Sequence, residues 1–243
     1  MKFVFNKNES HIVVAGHRGA KSLYPENTML SYIKAIELGV DQLEIDVNIT
    51  KDGEPVLIHD LTLDRTTDKK GAVREYTLAE IKEADAGDGE RIPHFRELLE
   101  LIKDTDITLN VEVKDKTEEC VDKIMQTLSD YPMQNRFVIA CWDARFTKYA
   151  YEKYGVPTQG FPKEIWQNYE SMGDGYPHSI GIPMEKLTAE LCEQYRQIGV
   201  EPWCWCPDSE EAVIKAVNAG ARLMTCNDPR PALKILREMG KHS

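Results

Sequence analysis

The chain has 243 residues, 42% hydrophobic and 29% charged, enough to bury a large core without disulfides or a structural metal. A formal net charge of -11 with no run of Lys or Arg argues against nucleic acid as a partner. No stretch approaches the roughly 18 apolar residues of a membrane span, and the N-terminal MKFVFNKNES lacks an apolar core of signal-peptide length.

In chain order, HIVVAG at 11 to 16 is short, β-branched and closed by Gly, which predicts a buried strand. From Asn27 to Leu38 the apolar positions follow helical spacing, and Gly39 ends the helix. VDQLEIDVNI predicts a second strand. TKDG at 50 to 53 joins it to EPVLIHD, and four residues are too few for a parallel crossover. Asp52-Gly53 is a hairpin-turn pair, so these two strands are expected to be antiparallel neighbours.

Residues 60 to 107 read as a polar insertion with short helical pieces, LAEIKEA and FRELLELIK. Strand-helix alternation then resumes with TLNVEVK, RFVIACW, PTQGF, HSIGIP, EPWCWC and RLMTC, each followed by a helix, the last reaching about Met239. Nine strands with one in a hairpin leave eight for an α/β parallel barrel, an irregular TIM (β/α)8 barrel spanning residues 1 to 243 as one domain; an open doubly wound sheet is the structural alternative.

The active face of such a barrel lies at the C-terminal strand ends, which selects His17, Arg18, Glu44, Asp46, His59, Asp60, Glu112, Lys114 and Trp205. Glu44 and Asp46 are two apart on a strand and share a face, whereas Ile45 points into an apolar layer. Two acids inside a barrel need a cation, or an Arg or Lys, to remain ionised. With Glu112 they make a set of three carboxylates suited to Mg²⁺ or Ca²⁺; a salt-bridge cluster with Arg18 and Lys114 is the competing reading. His17 and His59, two of six histidines, are placed for proton transfer. The hairpin returns His59 to about the level of Glu44. Arg18 can fork onto phosphate oxygens, and Lys114 can face them as a point charge.

Other features carry no chemistry. AGDGE at 86 to 90 lacks the spaced acids of a calcium loop and reads as a surface turn; the acids at 118 to 122 and 208 to 211 read as helix starts. The six cysteines show no zinc spacing and read as small buried hydrophobes, consistent with a reducing, cytoplasmic location; secretion stays open if a leader has been removed.

GHRGAKSLYPENT (16 to 28), LEIDVNITKDGEPVLIHDLTLDRTT (43 to 67), NVEVK (110 to 114), and the WCWCPD and TCNDP segments resemble the signature blocks of glycerophosphodiester phosphodiesterases over nearly the whole chain. The resemblance implies a TIM barrel with an insertion after the HD strand. It also implies one divalent cation on Glu44, Asp46 and Glu112, an acid/base pair of His17 and His59, phosphate-facing Arg18 and Lys114, and a substrate-pocket Trp205. Glu26 and Asn27 belong to the PENT block and are expected to support the His-Arg loop and to cap the first helix. The family commonly has W-T-V-N where Trp205 is followed by Cys206, Pro207 and Asp208, and S-F where Cys141-Trp142 stands. These pocket-wall changes leave the alcohol group open.

The expected activity is metal-dependent hydrolysis of a small glycerophosphodiester to an alcohol and glycerol 3-phosphate. The alternative is a lysophospholipase-D-like diesterase with an apolar groove, for which Trp142, Trp166 and Trp203 are the candidates. A barrel reduced to a binding module would lack a ligand or a histidine, and none is missing. The sequence carries no signal for oligomeric state.

Overall fold

The structure, a computed structural model, describes residues 10–173 and 177–243; the N-terminal MKFVFNKNES, expected to carry no signal-peptide core, lies outside them except for Ser10. Eight strands form a closed parallel barrel: β1 (Val13–His17), β2 (Gln42–Ile49), β4 (Thr108–Val113), β5 (Phe137–Ala140), β6 (Thr158–Gly160), β7 (Ser179–Pro183), β8 (Glu201–Trp205) and β9 (Leu223–Cys226). Closure comes from β1, which pairs in parallel with both β2 and β9. The helices are α1 (Met29–Leu38), α2 (Leu78–Ile81), α3 (Phe95–Ile102), α4 (Glu118–Ser129), α5 (Ala144–Tyr154), α6 (Ala189–Gln197), α7 (Glu210–Ala219) and α8 (Arg230–Glu238). Most begin at a side chain that accepts an otherwise orphaned N–H: Thr28 from Ser31, Thr117 from Cys120, Thr188 from Leu191 and Ser209 from Ala212.

The remaining strand, β3 (Pro55–Leu57), runs antiparallel to the second half of β2, with Val47 opposite Leu57 and Ile49 opposite Pro55. The Ile58 N–H donates to the Asp46 carbonyl, so His59 arrives level with the Glu44–Asp46 pair, as the short TKDG link predicts. Between β3 and β4 the insertion packs a small core of Ile58, Leu63, Val73, Ile81 and Ile92 against Val56 of β3. The last helix of that stretch, α3, packs against α1 and α4 in the outer helix layer, so the end of the 60–107 segment is barrel rather than insertion.

Period-two alternation sorts the strand residues. On β2, Leu43, Ile45, Val47 and Ile49 face the helices in the main core, all with no exposed surface. The barrel interior is plugged by Val13, Ala15, Val138, Trp203 and Leu223. Continuing two residues along from Ala15, Trp203 and Leu223 gives His17, Trp205 and Thr225, so the interior turns from apolar to polar as the strands reach their C-terminal ends. Each fully buried aliphatic side chain of these layers contributes about 1.5–3 kcal/mol; the rigid frame they make positions the polar layer above.

Candidate active site

A cavity opens at the C-terminal ends of the strands. Its lining includes His17, Arg18, Glu44, His59, Glu112, Lys114 and Trp205, seven of the eight residues that the resemblance assigns to the metal, the acid/base pair, the phosphate and the pocket. The eighth, Asp46, lies behind the lining with no exposed surface. One oxygen from each of Glu44, Asp46 and Glu112 falls within 4.8 Å of the others.

This acidic cluster is held by a dense set of donors. Arg18 Nε lies 3.1 Å from Asp46 Oδ2, and Arg18 Nη1 donates to Glu26 Oε1 at 2.9 Å. The Arg18 backbone N–H donates to Glu44 Oε2 at 3.0 Å. Lys114 Nζ pairs with Glu112 and lies 3.1 Å from Asp46 Oδ1. The salt-bridge cluster and the metal-ligand set are therefore built from the same side chains.

The electrostatics of the cluster follow from burial and from these neighbouring charges. Burial, reinforced by the charges of Asp46 and Glu112, pushes the Glu44 carboxyl well above the ordinary range. Burial also raises Glu112, against the pull of Lys114. Asp46 is the exception: burial would raise it, but Lys114 and Arg18 together hold it below the usual range. Two local cations do not balance three buried carboxylates, and a further positive charge at the cluster would let Glu44 ionise. An all-oxygen donor set of this kind fits Mg²⁺ or Ca²⁺.

Each histidine is oriented through Nδ1. His17 Nδ1 lies 2.6 Å from Asn227 Oδ1, and Asn227 Nδ2 donates to Asp208 Oδ2 at 2.5 Å. That second bond fixes the amide so that oxygen faces the ring; His17 therefore carries its proton on Nδ1 and presents the Nε2 lone pair, 3.7 Å from Glu44. Burial, with Lys21 and Arg18 nearby, pushes the His17 imidazole down to about 3, so it is neutral in the ordinary range. His59 Nδ1 lies 2.6 Å from Asp60 Oδ1. Asp60 is clamped by Arg65, whose Nε donates to Asp60 Oδ2 at 2.7 Å and whose Nη2 donates to Glu26 Oε1 at 2.7 Å. Glu26 thus joins Arg18 on the His17 loop to Arg65 and Asp60 beside His59.

One expectation is overturned. Asn27 does not cap α1; Thr28 does, accepting from the Ser31 N–H with β-region dihedrals. Asn27 sits at φ 56, off the cap geometry, and its Nδ2 donates to Asp46 Oδ2 at 2.9 Å while its Oδ1 accepts from the Tyr32 hydroxyl. It therefore belongs to the acidic cluster. The loop needs glycine at Gly19, where φ is 86 and a Cβ would meet Ser31 Oγ at 2.3 Å.

The rest of the cavity is walled by Trp142, stacked on Phe161 with centroids 4.1 Å apart and edge-on to Trp205, and by Asn110, Gln159 and Thr225. Of the other tryptophans proposed for an apolar groove, Trp166 is buried with its Nε1 donating to the Cys141 carbonyl, and Trp203 is buried in the barrel plug and also lines the cavity. Sequence reasoning missed Asn227, Asp208 and Arg65 as supports, although Asn227 and Asp208 fall at the ends of β9 and β8, where barrel function collects.

The model of the glycerophosphoryl diester phosphodiesterase family matches residues 17–182, from the first histidine of the site to β7. The chain belongs to this family. A glycerophosphodiester phosphodiesterase of Caldanaerobacter subterraneus is 32% identical, with 94% of this chain and 99% of that protein covered. The family barrel recurs in solved structures. A putative glycerophosphoryl diester phosphodiesterase from Silicibacter pomeroyi superposes with a TM-score of 0.87 at 24% identity, covering 97% of this chain and 96% of that one. An Oleispira antarctica phosphodiesterase, solved with its product sn-glycerol-3-phosphate, gives 0.84 at 24% identity, covering 93% and 96%.

Proposed function

We propose that this protein hydrolyses glycerophosphodiesters to an alcohol and glycerol 3-phosphate, using one divalent cation, Mg²⁺ or Ca²⁺, held by Glu44, Asp46 and Glu112. The observation that carries this reading is the convergence of three carboxylates, two Nδ1-anchored imidazoles and two cations on one cavity, in a chain of the glycerophosphoryl diester phosphodiesterase family. When bound, the cation supplies charge that stabilises a phosphodiester oxygen as the transition state becomes more anionic.

The remaining work falls to protein groups. His17, neutral and presenting Nε2, accepts the proton of the attacking oxygen. His59, held through Nδ1 by Asp60, directs Nε2 to the leaving alcohol and protonates it. Arg18 and Lys114 hold the phosphate, which explains how a chain of net charge -11 binds an anion. Trp205 Nε1 and Asn110 Oδ1 are buried with no hydrogen-bond partner. Both residues line the cavity, and we assign them to hydrogen bonding with the glycerol hydroxyls.

The test is cleavage of glycerophosphocholine followed by release of glycerol 3-phosphate. EDTA should abolish it and Mg²⁺ or Ca²⁺ restore it; activity that survives exhaustive chelation removes the metal from the account. Leu61, 58% exposed, lines the outer mouth with Trp142, which gives a lipid-headgroup substrate one point of support. Faster cleavage of a lysophospholipid than of glycerophosphocholine would favour that second reading.

A further inference from the structure

The opposite end of the barrel carries a second convergence of ligating atoms, formed by His11, Asp41 and His242. His11 precedes β1 and Asp41 precedes β2, so the cluster lies at the N-terminal strand ends, about 20 Å of extended chain from His17. Backbone bonds fix its three segments. The Ile12 N–H donates to the Lys241 carbonyl at 2.8 Å, and the Asp41 N–H donates to the Val14 carbonyl at 2.9 Å.

His11 Nε2 and His242 Nε2 each lie 2.9 Å from the same oxygen, Asp41 Oδ2. The Val14 N–H also donates to that oxygen, at 3.1 Å. The two rings are tilted against each other with centroids 4.7 Å apart, and all three side chains are nearly buried. His242 Nδ1 faces the Ser243 main-chain oxygen at 2.8 Å. Both nitrogens of that ring therefore point at acceptors, and a neutral imidazole has one N–H to offer. A cation between His242 Nε2 and Asp41 Oδ2 would satisfy both faces of the ring at once.

We propose that His11, Asp41 and His242 form a zinc site distinct from the acidic cluster at the barrel mouth. Two imidazole nitrogens and one carboxylate oxygen are a borderline donor set that suits Zn²⁺, with water as the fourth ligand. The Ser243 oxygen on Nδ1 is the outer partner that ligating histidines commonly have, leaving Nε2 for the ion. The ion displaces the ring proton from each Nε2 that carries one and clips residues 241–243 to the start of β1 and to the α1–β2 turn.

The experiment is calorimetric titration of the chelator-stripped full chain with Zn²⁺. Wild type should bind one more equivalent than His242→Gln or His11→Gln, and Zn²⁺ should raise the wild-type melting temperature more than that of either variant. Titration of unmodified protein with Co²⁺ should give the intense visible absorption of a tetrahedral centre, saturating at one equivalent. The weak absorption of an oxygen-ligated octahedral site is expected from the barrel mouth. Equal Zn²⁺ stoichiometry in wild type and variants, or no tetrahedral Co²⁺ band, would overturn the assignment and leave a shared proton as the charge between His242 and Asp41.

Discussion

Asn227 Oδ1 accepts from His17 Nδ1 across 2.6 Å, and the two residues are 210 positions apart in the chain. Asp208 fixes the Asn227 amide through its Nδ2 and also accepts from the Asn227 backbone N–H at 2.7 Å. This link turns the last strand of the barrel into the orienting group for a residue on the first. Asn227→Ala should free the ring to take the other tautomer and lower kcat by about 10- to 100-fold, the usual effect of losing an orienting partner, with little change in KM. Steady-state kinetics checks this; an unchanged kcat would show that Asn227 does not control the tautomer.

Asn27 and Thr28 are neighbours with separable effects. Thr28→Ala removes a helix cap and should lower stability by about 0.5–2 kcal/mol without changing metal affinity. Asn27→Ala takes a donor from Asp46 and should weaken Mg²⁺ or Ca²⁺ binding by about 10-fold or more. Metal titration and denaturant unfolding of both variants separate the two roles; equal metal affinities would show that Asn27 does not organise the cluster.

Gly19→Ala places a side chain at φ 86 and brings a Cβ to 2.3 Å from Ser31 Oγ. The strain alone is worth about 1–3 kcal/mol. The variant should melt earlier and lose activity, because the loop carries both His17 and Arg18. A melting temperature equal to wild type would mean the loop has another accessible path.

The barrel was legible because its signals are local. Alternation along β2 separates Ile45 from Glu44 and Asp46, and a four-residue link with Asp52-Gly53 permits only an antiparallel return. The ligands and histidines were legible for the same reason, since each ends a strand. Their supports are different in kind: Asn227 on His17 and Arg65 on Glu26 are pairings between distant segments, visible only once the barrel closes. Asn27 was misread because Asn and Thr are both good caps. The tight turn after Pro25 decides between them by putting Asn27 at positive φ and Thr28 in the β region.

Arg65 links pH to this support. Its hydrogen bonds hold the Asp60 carboxyl down at about 2, below the roughly 3.9 of an unfolded aspartate. A carboxylate depressed on folding contributes stability that is present above the unfolded value and lost as pH falls through the folded one. The stability difference between wild type and Arg65→Gln should therefore be constant above about pH 5 and shrink toward pH 2. Asp60 is half-buried and its partner Arg65 is exposed, so solvent screens the pair and the difference is small, best read by urea unfolding at low salt. A difference that grows on acidification would contradict the assignment.

The most direct test of the account is the rate of glycerol 3-phosphate release from glycerophosphocholine in saturating metal by wild type, His17→Ala, His59→Ala and the double variant. Each single change should lower kcat by about 10²- to 10⁴-fold. The double variant should be scarcely slower than the worse single one, because a base and an acid that serve the same displacement act as a unit. A near-wild-type rate in either single variant, with metal binding intact, would contradict the paired roles of His17 and His59.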